Sequence, residues 1–111
     1  MTSTELNITV TDENIDSIED QMTPDNEIAT IDCMALNPAI AEQVSGPGRT
    51  GEYQLQIFKI EVEGKKIFVL FFDDGDIQDT ESFAERVHFY ELQEDAMAAM
   101  GAEYNDWLTR F

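Results

Sequence analysis

The chain has 111 residues, of which 42% are hydrophobic, so it is one domain with material for a real core and not a disordered tail. Twenty-four Asp and Glu against six Lys and Arg leave a formal net charge of -18. That balance excludes binding nucleic acid or an anionic membrane through a basic surface, because both need clustered cations.

Met1-Thr2-Ser3-Thr4-Glu5 has neither a basic region nor an apolar stretch after it, so no signal peptide is read there. Residues 1–10 are polar and expected to be flexible, although Leu6, Ile8 and Val10 alternate as a short strand would. Thr11 is the expected N-cap of a helix of about 12 residues. Ile15, Ile18 and Met22 form its apolar stripe and Pro24 stops it. Its other face carries Asp12, Asp16, Glu19 and Asp20, with Glu13 in the first turn.

Ile28 to Leu36 is ambiguous. Its β-branched residues argue for a strand, while Ala and Met favour helix in the second half. Asn37 as N-cap and Pro38 at the first helical position start a short helix, Pro38 to Val44. Ser45 to Gly51 is the most loop-like stretch of the chain.

Tyr53 to Val62 and Ile67 to Phe72 flank Glu63-Gly64-Lys65-Lys66 and predict a β-hairpin. The first strand changes phase: Tyr53, Leu55 and Ile57 share one face, Phe58, Ile60 and Val62 the other. A bulge near Ile57-Phe58 would restore one buried face; otherwise both faces are covered. The second strand is apolar on both faces, so something packs on each side or one side meets another protein, a homodimer being one outcome. Its apolar run is far short of the ~20 residues a membrane helix needs.

Asp73-Asp74-Gly75-Asp76 ends the hairpin, and Asp79, Thr80 or Ser82 caps the next helix, Ser82 with Glu85 fitting a capping box. From Phe83 the spacing predicts helix to the C-terminus. One stripe holds Phe83, Val87, Tyr90, Met97, Tyr104, Leu108 and Phe111; a second holds Phe89, Leu92, Ala96, Met100 and Trp107. Gly101 is the candidate break. The ending Gly101-Ala102-Glu103-Tyr104-Asn105-Asp106-Trp107 resembles the acidic ribonuclease E inhibitor family, in which a helix leads into a Gly-Glu-Tyr-Asp-Gly-Trp-like segment. Asp106 stands where that family has Gly. The expected fold is α+β: a small antiparallel sheet centred on the hairpin 53–72, packed against a long or broken C-terminal helix and short N-terminal helices.

Residues for catalysis are few. A nucleophilic Cys or Ser needs a base, and the one His, His88, sits in an apolar stretch. Cys33 also lies among apolar residues and reads as core; as the single Cys it forms no intramolecular disulfide. Gly46 to Gly51 lacks the Lys and spacing of a phosphate-binding loop. Glu85-Arg86-Val87-His88 matches one Glu-x-x-His element of di-iron bundles, which need two. Asp73, Asp74, Asp76, Asp79 and Glu81 offer oxygen ligands for a hard cation, but the EF-hand register fails because Leu70 stands where an acid is required. Neither catalytic residues nor metal or other cofactor are expected.

The acidity is unevenly placed. Residues 1–50 hold ten acids against one base, Arg49; residues 51–111 hold fourteen against five. Acids three and four residues apart on a helix stand about 5–6 Å from each other, similar to neighbouring phosphates on a nucleic-acid strand. Such like-charge spacing destabilises an isolated helix, so stability does not explain it. The favoured expectation is a cytoplasmic, non-enzymatic nucleic-acid mimic, phage-encoded and acting in the host, that blocks the basic groove of a nuclease, restriction or CRISPR effector, or polymerase. Its partner is a basic nucleic-acid-binding protein, with no direct nucleic acid and no membrane. Its partner-binding residues are Asp12, Glu13, Asp16, Glu19, Asp20, Asp73, Asp74, Asp76 and Asp79. The alternative is an acidic adaptor or enzyme inhibitor binding through an apolar patch, either Phe68, Leu70 and Phe72 or Tyr104, Trp107, Leu108 and Phe111. A salt-adapted domain is the third reading.

Overall fold

The structure, a computed structural model, describes residues 5–44, 53–75 and 77–110. Strands β1 (Glu5–Leu6), β2 (Glu27–Asp32), β3 (Gln54–Val62), β4 (Lys65–Asp73) and β5 (Val87–Tyr90) form one antiparallel sheet in the order β1-β5-β4-β3-β2. Helices α1 (Ile15–Gln21), α2 (Cys33–Leu36), α3 (Pro38–Val44), α4 (Thr80–Ala84) and α5 (Gln93–Thr109) accompany it. The fold is α+β, as the hairpin and the flanking amphipathic segments imply.

The hairpin pairs without interruption from Gln54 opposite Asp73 to Val62 opposite Lys65. Its turn is tighter than the four residues expected. Only Glu63 and Gly64 form it, at φ 52° and 79°, the double positive φ that matches the strand twist. Lys65 and Lys66 belong to β4. No bulge interrupts β3 at Ile57-Phe58. Ordinary alternation sends Leu55 and Ile57 into one core cluster and Phe58 and Ile60 into the other. The register shift lies in β2 instead, between Glu27 and Ala29.

Both faces of the sheet are therefore buried by the chain itself. On the first, Ile18 of α1 and Phe83 of α4 meet Phe58, Ile60, Ile67, Val69, Val87 and Phe89, with Leu6, Ile8 and Val10 packed alongside. On the second, Ala96, Met100 and Trp107 of α5 and Cys33 meet Leu55, Ile57, Leu70 and Tyr90. Trp107 stacks on Tyr53 with ring centroids 5.5 Å apart, and Asn37 Nδ2 donates to the Tyr104 hydroxyl at 2.8 Å, fastening the α2–α3 junction to α5. The two apolar faces of β4 thus need no second copy of the chain, which removes the argument for a homodimer drawn from them.

The ambiguous stretch 28–36 divides into strand and helix, with Asp32 accepting from the Ala35 N–H to cap α2. The largest departure is in the C-terminal third. Helix does not run on from Phe83: α4 ends at Ala84 and β5 comes next. Phe83, Val87 and Tyr90 fit a helical stripe, yet Val87-His88-Phe89-Tyr90 is also a β-branched and aromatic run that the exposed edge of β4 recruits as a strand. Ser82 is not the cap of α4. Asp79 is, its carboxylate accepting from the Ser82 N–H while the Ser82 hydroxyl meets the Asp79 N–H. Gly101 lies within an unbroken α5.

β3 extends past the start of β2, and Gln21 fills that gap. Its Nε2 donates to the Glu61 carbonyl at 2.8 Å and its Oε1 accepts from the Glu61 N–H at 2.7 Å, as a neighbouring strand residue would. Gln21→Ala is expected to lower unfolding free energy in urea by about 1–2 kcal/mol through these two bonds. Gly101→Ala should raise it by about 0.5–1 kcal/mol, because an added Cβ meets nothing within 4 Å and the helix loses a flexible residue.

Candidate functional site

α1 and α4 lie on the same face of the sheet, because Ile18 and Phe83 enter the same cluster. The Thr80 hydroxyl donates to Asp12 Oδ1 at 2.6 Å and joins the approach to α1 to the first turn of α4. Asp12, Glu13, Asp16, Glu19 and Asp20 are all exposed, as are Asp79, Glu81 and Glu85. No Lys or Arg occurs in residues 1–48 or in α4. The helical layer over this face consequently displays carboxylates without a cation of its own.

Asp12 and Glu13 are not on the helix. The Thr11 hydroxyl accepts from the Glu13 and Asn14 N–H groups at 3.3 Å, and Asn14 Oδ1 accepts from the Thr11 N–H at 2.7 Å. This reciprocal closure makes a turn of residues 11–14, and Asn14 becomes the N-cap of a helix spanning seven residues. Asp16 faces neighbours at Glu19 and Asp20 along α1, the spacing expected from the sequence.

The acidic turn after β4 divides. Asp73 accepts from the Gly75 N–H at 3.0 Å. Asp74 forms a two-pronged pair with Arg86, whose Nε donates to Oδ1 at 2.9 Å and Nη2 to Oδ2 at 3.1 Å, and Arg86 Nη1 also donates to the Ser82 carbonyl at 2.7 Å. The Arg86 side chain is only 17% exposed, so Asp74, although 35% exposed itself, is committed to a structural clamp between β4 and α4. Asp76 lies outside the described residues. Asp79 keeps an exposed carboxylate but spends it on the α4 cap. The structure thus brings Asp12, Glu13, Asp16, Glu19, Asp20 and Asp79 to one side and withdraws Asp74. Sequence reasoning missed Glu81 and Glu85 as members of this face, since the α4–β5 division that places them was hidden in the helical spacing.

The remaining chemical candidates have structural partners. Cys33 is buried, and burial, then the charge of Asp32, pushes its thiol up to about 11. His88 is on β5, its Nδ1 2.6 Å from Glu5 Oε1, with its ring 5.2 Å from that of Phe72. Tyr90 donates to the same Glu5 oxygen at 3.5 Å, and burial together with that carboxylate raises its phenol to about 12. Among the described residues no group of three or more His, Cys, Asp or Glu side chains converges as metal ligands do, and no helix is long and apolar enough to cross a membrane. Of the apolar patches proposed for an adaptor, Leu70 and Trp107 are buried in the core, and Phe68, Phe72, Tyr104 and Leu108 are half-buried against the α5 cluster. Phe111 lies outside the described residues. Gly101 to Trp107 sits inside α5 instead of coming after a helix. Comparison with protein-family models, curated proteins and solved structures finds no match to this chain.

The Ser82 N–H and hydroxyl hold the Asp79 carboxyl below its ordinary 3.8. A depressed carboxyl contributes stability above its unfolded value and loses it as pH falls through the folded one. A carboxyl-detected NMR titration should therefore place the Asp79 midpoint below 3.8, with the Ser82 amide resonance moving through the same transition.

Proposed function

We propose that this protein is an acidic, non-catalytic inhibitor that imitates the phosphate backbone of nucleic acid and occupies the basic groove of a nuclease, a restriction or CRISPR effector, or a polymerase. The observation that carries this reading is the α1–α4 face, where Asp12, Glu13, Asp16, Glu19, Asp20, Asp79, Glu81 and Glu85 are exposed on a layer without Lys or Arg. A groove built to gather phosphates attracts any dense array of fixed anions. Long-range attraction speeds the encounter, and matching of charge positions slows release. A helix and a capped turn anchored on a closed core supply anions already ordered, so little conformational entropy is lost on binding. A phage-encoded anti-defence protein acting in the host cytoplasm is the setting that suits this mechanism.

The adaptor reading has a smaller surface to draw on, because Leu70 and Trp107 of its two patches are buried and Phe68, Phe72, Tyr104 and Leu108 are only partly exposed. The direct test is a pull-down from a bacterial lysate at low and high salt, with the wild-type chain and an Asp16→Lys, Glu19→Lys, Asp20→Lys variant. The wild type should retain a nuclease, CRISPR component or polymerase subunit that salt elutes. The triple variant, with an unchanged circular dichroism spectrum, should lose affinity for that protein by on the order of a hundredfold or more. A partner that survives both high salt and the triple reversal overturns the proposal.

A further inference from the structure

β2 is the last strand of the sheet and, among the described residues, an open edge that pairs with β3 alone. The Cys33 N–H donates to the Tyr53 carbonyl at 3.1 Å, which fixes the orientation of the backbone groups before it. In an antiparallel pair the N–H and C=O of one residue point to the same side and the side alternates along the chain. Ala29 and Ile31, in phase with Cys33, therefore bond towards β3, opposite Ile57 and Leu55. The Thr30 N–H and C=O and the Asp32 N–H point away from the sheet, and among the described residues none of them makes a hydrogen bond outside the ladder. Thr30 is exposed, and Ile28 beside it is 36% exposed. β3 differs in this respect. Where β3 runs past β2, the Gln21 amide closes the edge; along β2 itself no described residue does so.

Charge selects what can pair there. Asp25, Glu27 and Asp32 bracket the strand, and no cation occurs in residues 1–48. A two-fold pairing of β2 with its own copy sets the Asp32 end of one strand beside the Glu27 end of the other, twice over, and like charges at such positions are repulsive. A strand carrying Lys or Arg turns both ends attractive. We infer that β2 is a docking edge for an extended cationic segment of a partner protein, which adds to the sheet through the outward groups of Thr30 and Asp32 and sets its basic side chains beside Glu27, Asp32 and Asp25. Backbone pairing supplies affinity in such strand addition, and the flanking charges supply selection. The inference needs a basic extended segment, and does not need that segment to come from a nucleic-acid-binding protein.

The probe is a synthetic peptide of about eight residues alternating Lys with Val and Thr, compared with the same peptide methylated at every backbone nitrogen, which keeps its charge but not its pairing groups. Titration into the full chain should slow hydrogen exchange at the Thr30 and Asp32 amides. The pairing-competent peptide should bind about tenfold or more tightly than the methylated one. Thr30→Pro removes an outward N–H without touching the β2–β3 ladder and should erase that preference. Should the proline variant not fold, the peptide comparison and the exchange data on the wild type decide alone. The Asp16→Lys, Glu19→Lys, Asp20→Lys variant should keep the preference, which separates this edge from the α1–α4 face. Equal binding of the two peptides, no binding by either, or a homodimer that Thr30→Pro dissociates would overturn the inference.

Discussion

The fold turns on one strand. β4 carries six consecutive apolar residues, Ile67 to Phe72, and in a pleated strand they point alternately to opposite sides. Neither face can be left in water, so two covering layers are obligatory. α1 and α4 supply the first and α5 the second, and the change of phase in β3 results from that division. The half of β3 near the turn sends Phe58 and Ile60 under α1; the half near Gln54 sends Leu55 and Ile57 under α5. What looks in the sequence like a fault in alternation is a strand crossing from one core to the other.

Both helical layers are acidic: neither α1 and α4 nor α5 contains Lys or Arg. Three lysines lie on the hairpin, Lys65 paired with Glu91 at 3.2 Å. Like charges at helical spacing weaken α1, and its short length gives it little helical stability of its own. It persists because Ile18 is buried and because the Gln21 amide bonds the backbone of Glu61. Core contacts thus offset repulsion on the outer face, an arrangement with no benefit for stability. Arg86 does the opposite duty. It pairs with Asp74, which offsets the cost of its own largely buried guanidinium, and it closes the β4–α4 corner.

Much of the layout was legible from local chemistry. The hairpin, the stripe Ile15-Ile18-Met22 and the Asn37-Pro38 helix start depend on turn geometry, capping and periodicity within a few residues, and each is realised where it was expected. Of the stripe Phe89-Leu92-Ala96-Met100-Trp107 only the last three face the core from α5, Phe89 lying in β5 and Leu92 being exposed. Of the candidate site, the exposed acids Asp16, Glu19 and Asp20 were legible too, since a helix buried on one side must present its other side to solvent; Asp12 and Glu13 are exposed on the turn before it. The details of Thr11 and Ser82 were not, because several polar residues in a row offer competing caps and only the surrounding packing chooses among them.

The sequence by itself determined the charge, the two-sided strand at the centre and the need for that strand to be covered on both faces. Tertiary structure decided the rest. Val87 to Tyr90 satisfies helical and strand periodicity alike over so short a run, and the unpaired backbone of β4 settles it as β5. Asp74 and Asp79 look equivalent in the chain, yet one meets a guanidinium brought from the far side of α4 and the other stays in water. Whether α1 and α4 share a face, and whether β2 ends the sheet, depend on strand order. Contacts between residues distant in the chain set that order, and no local pattern encodes them.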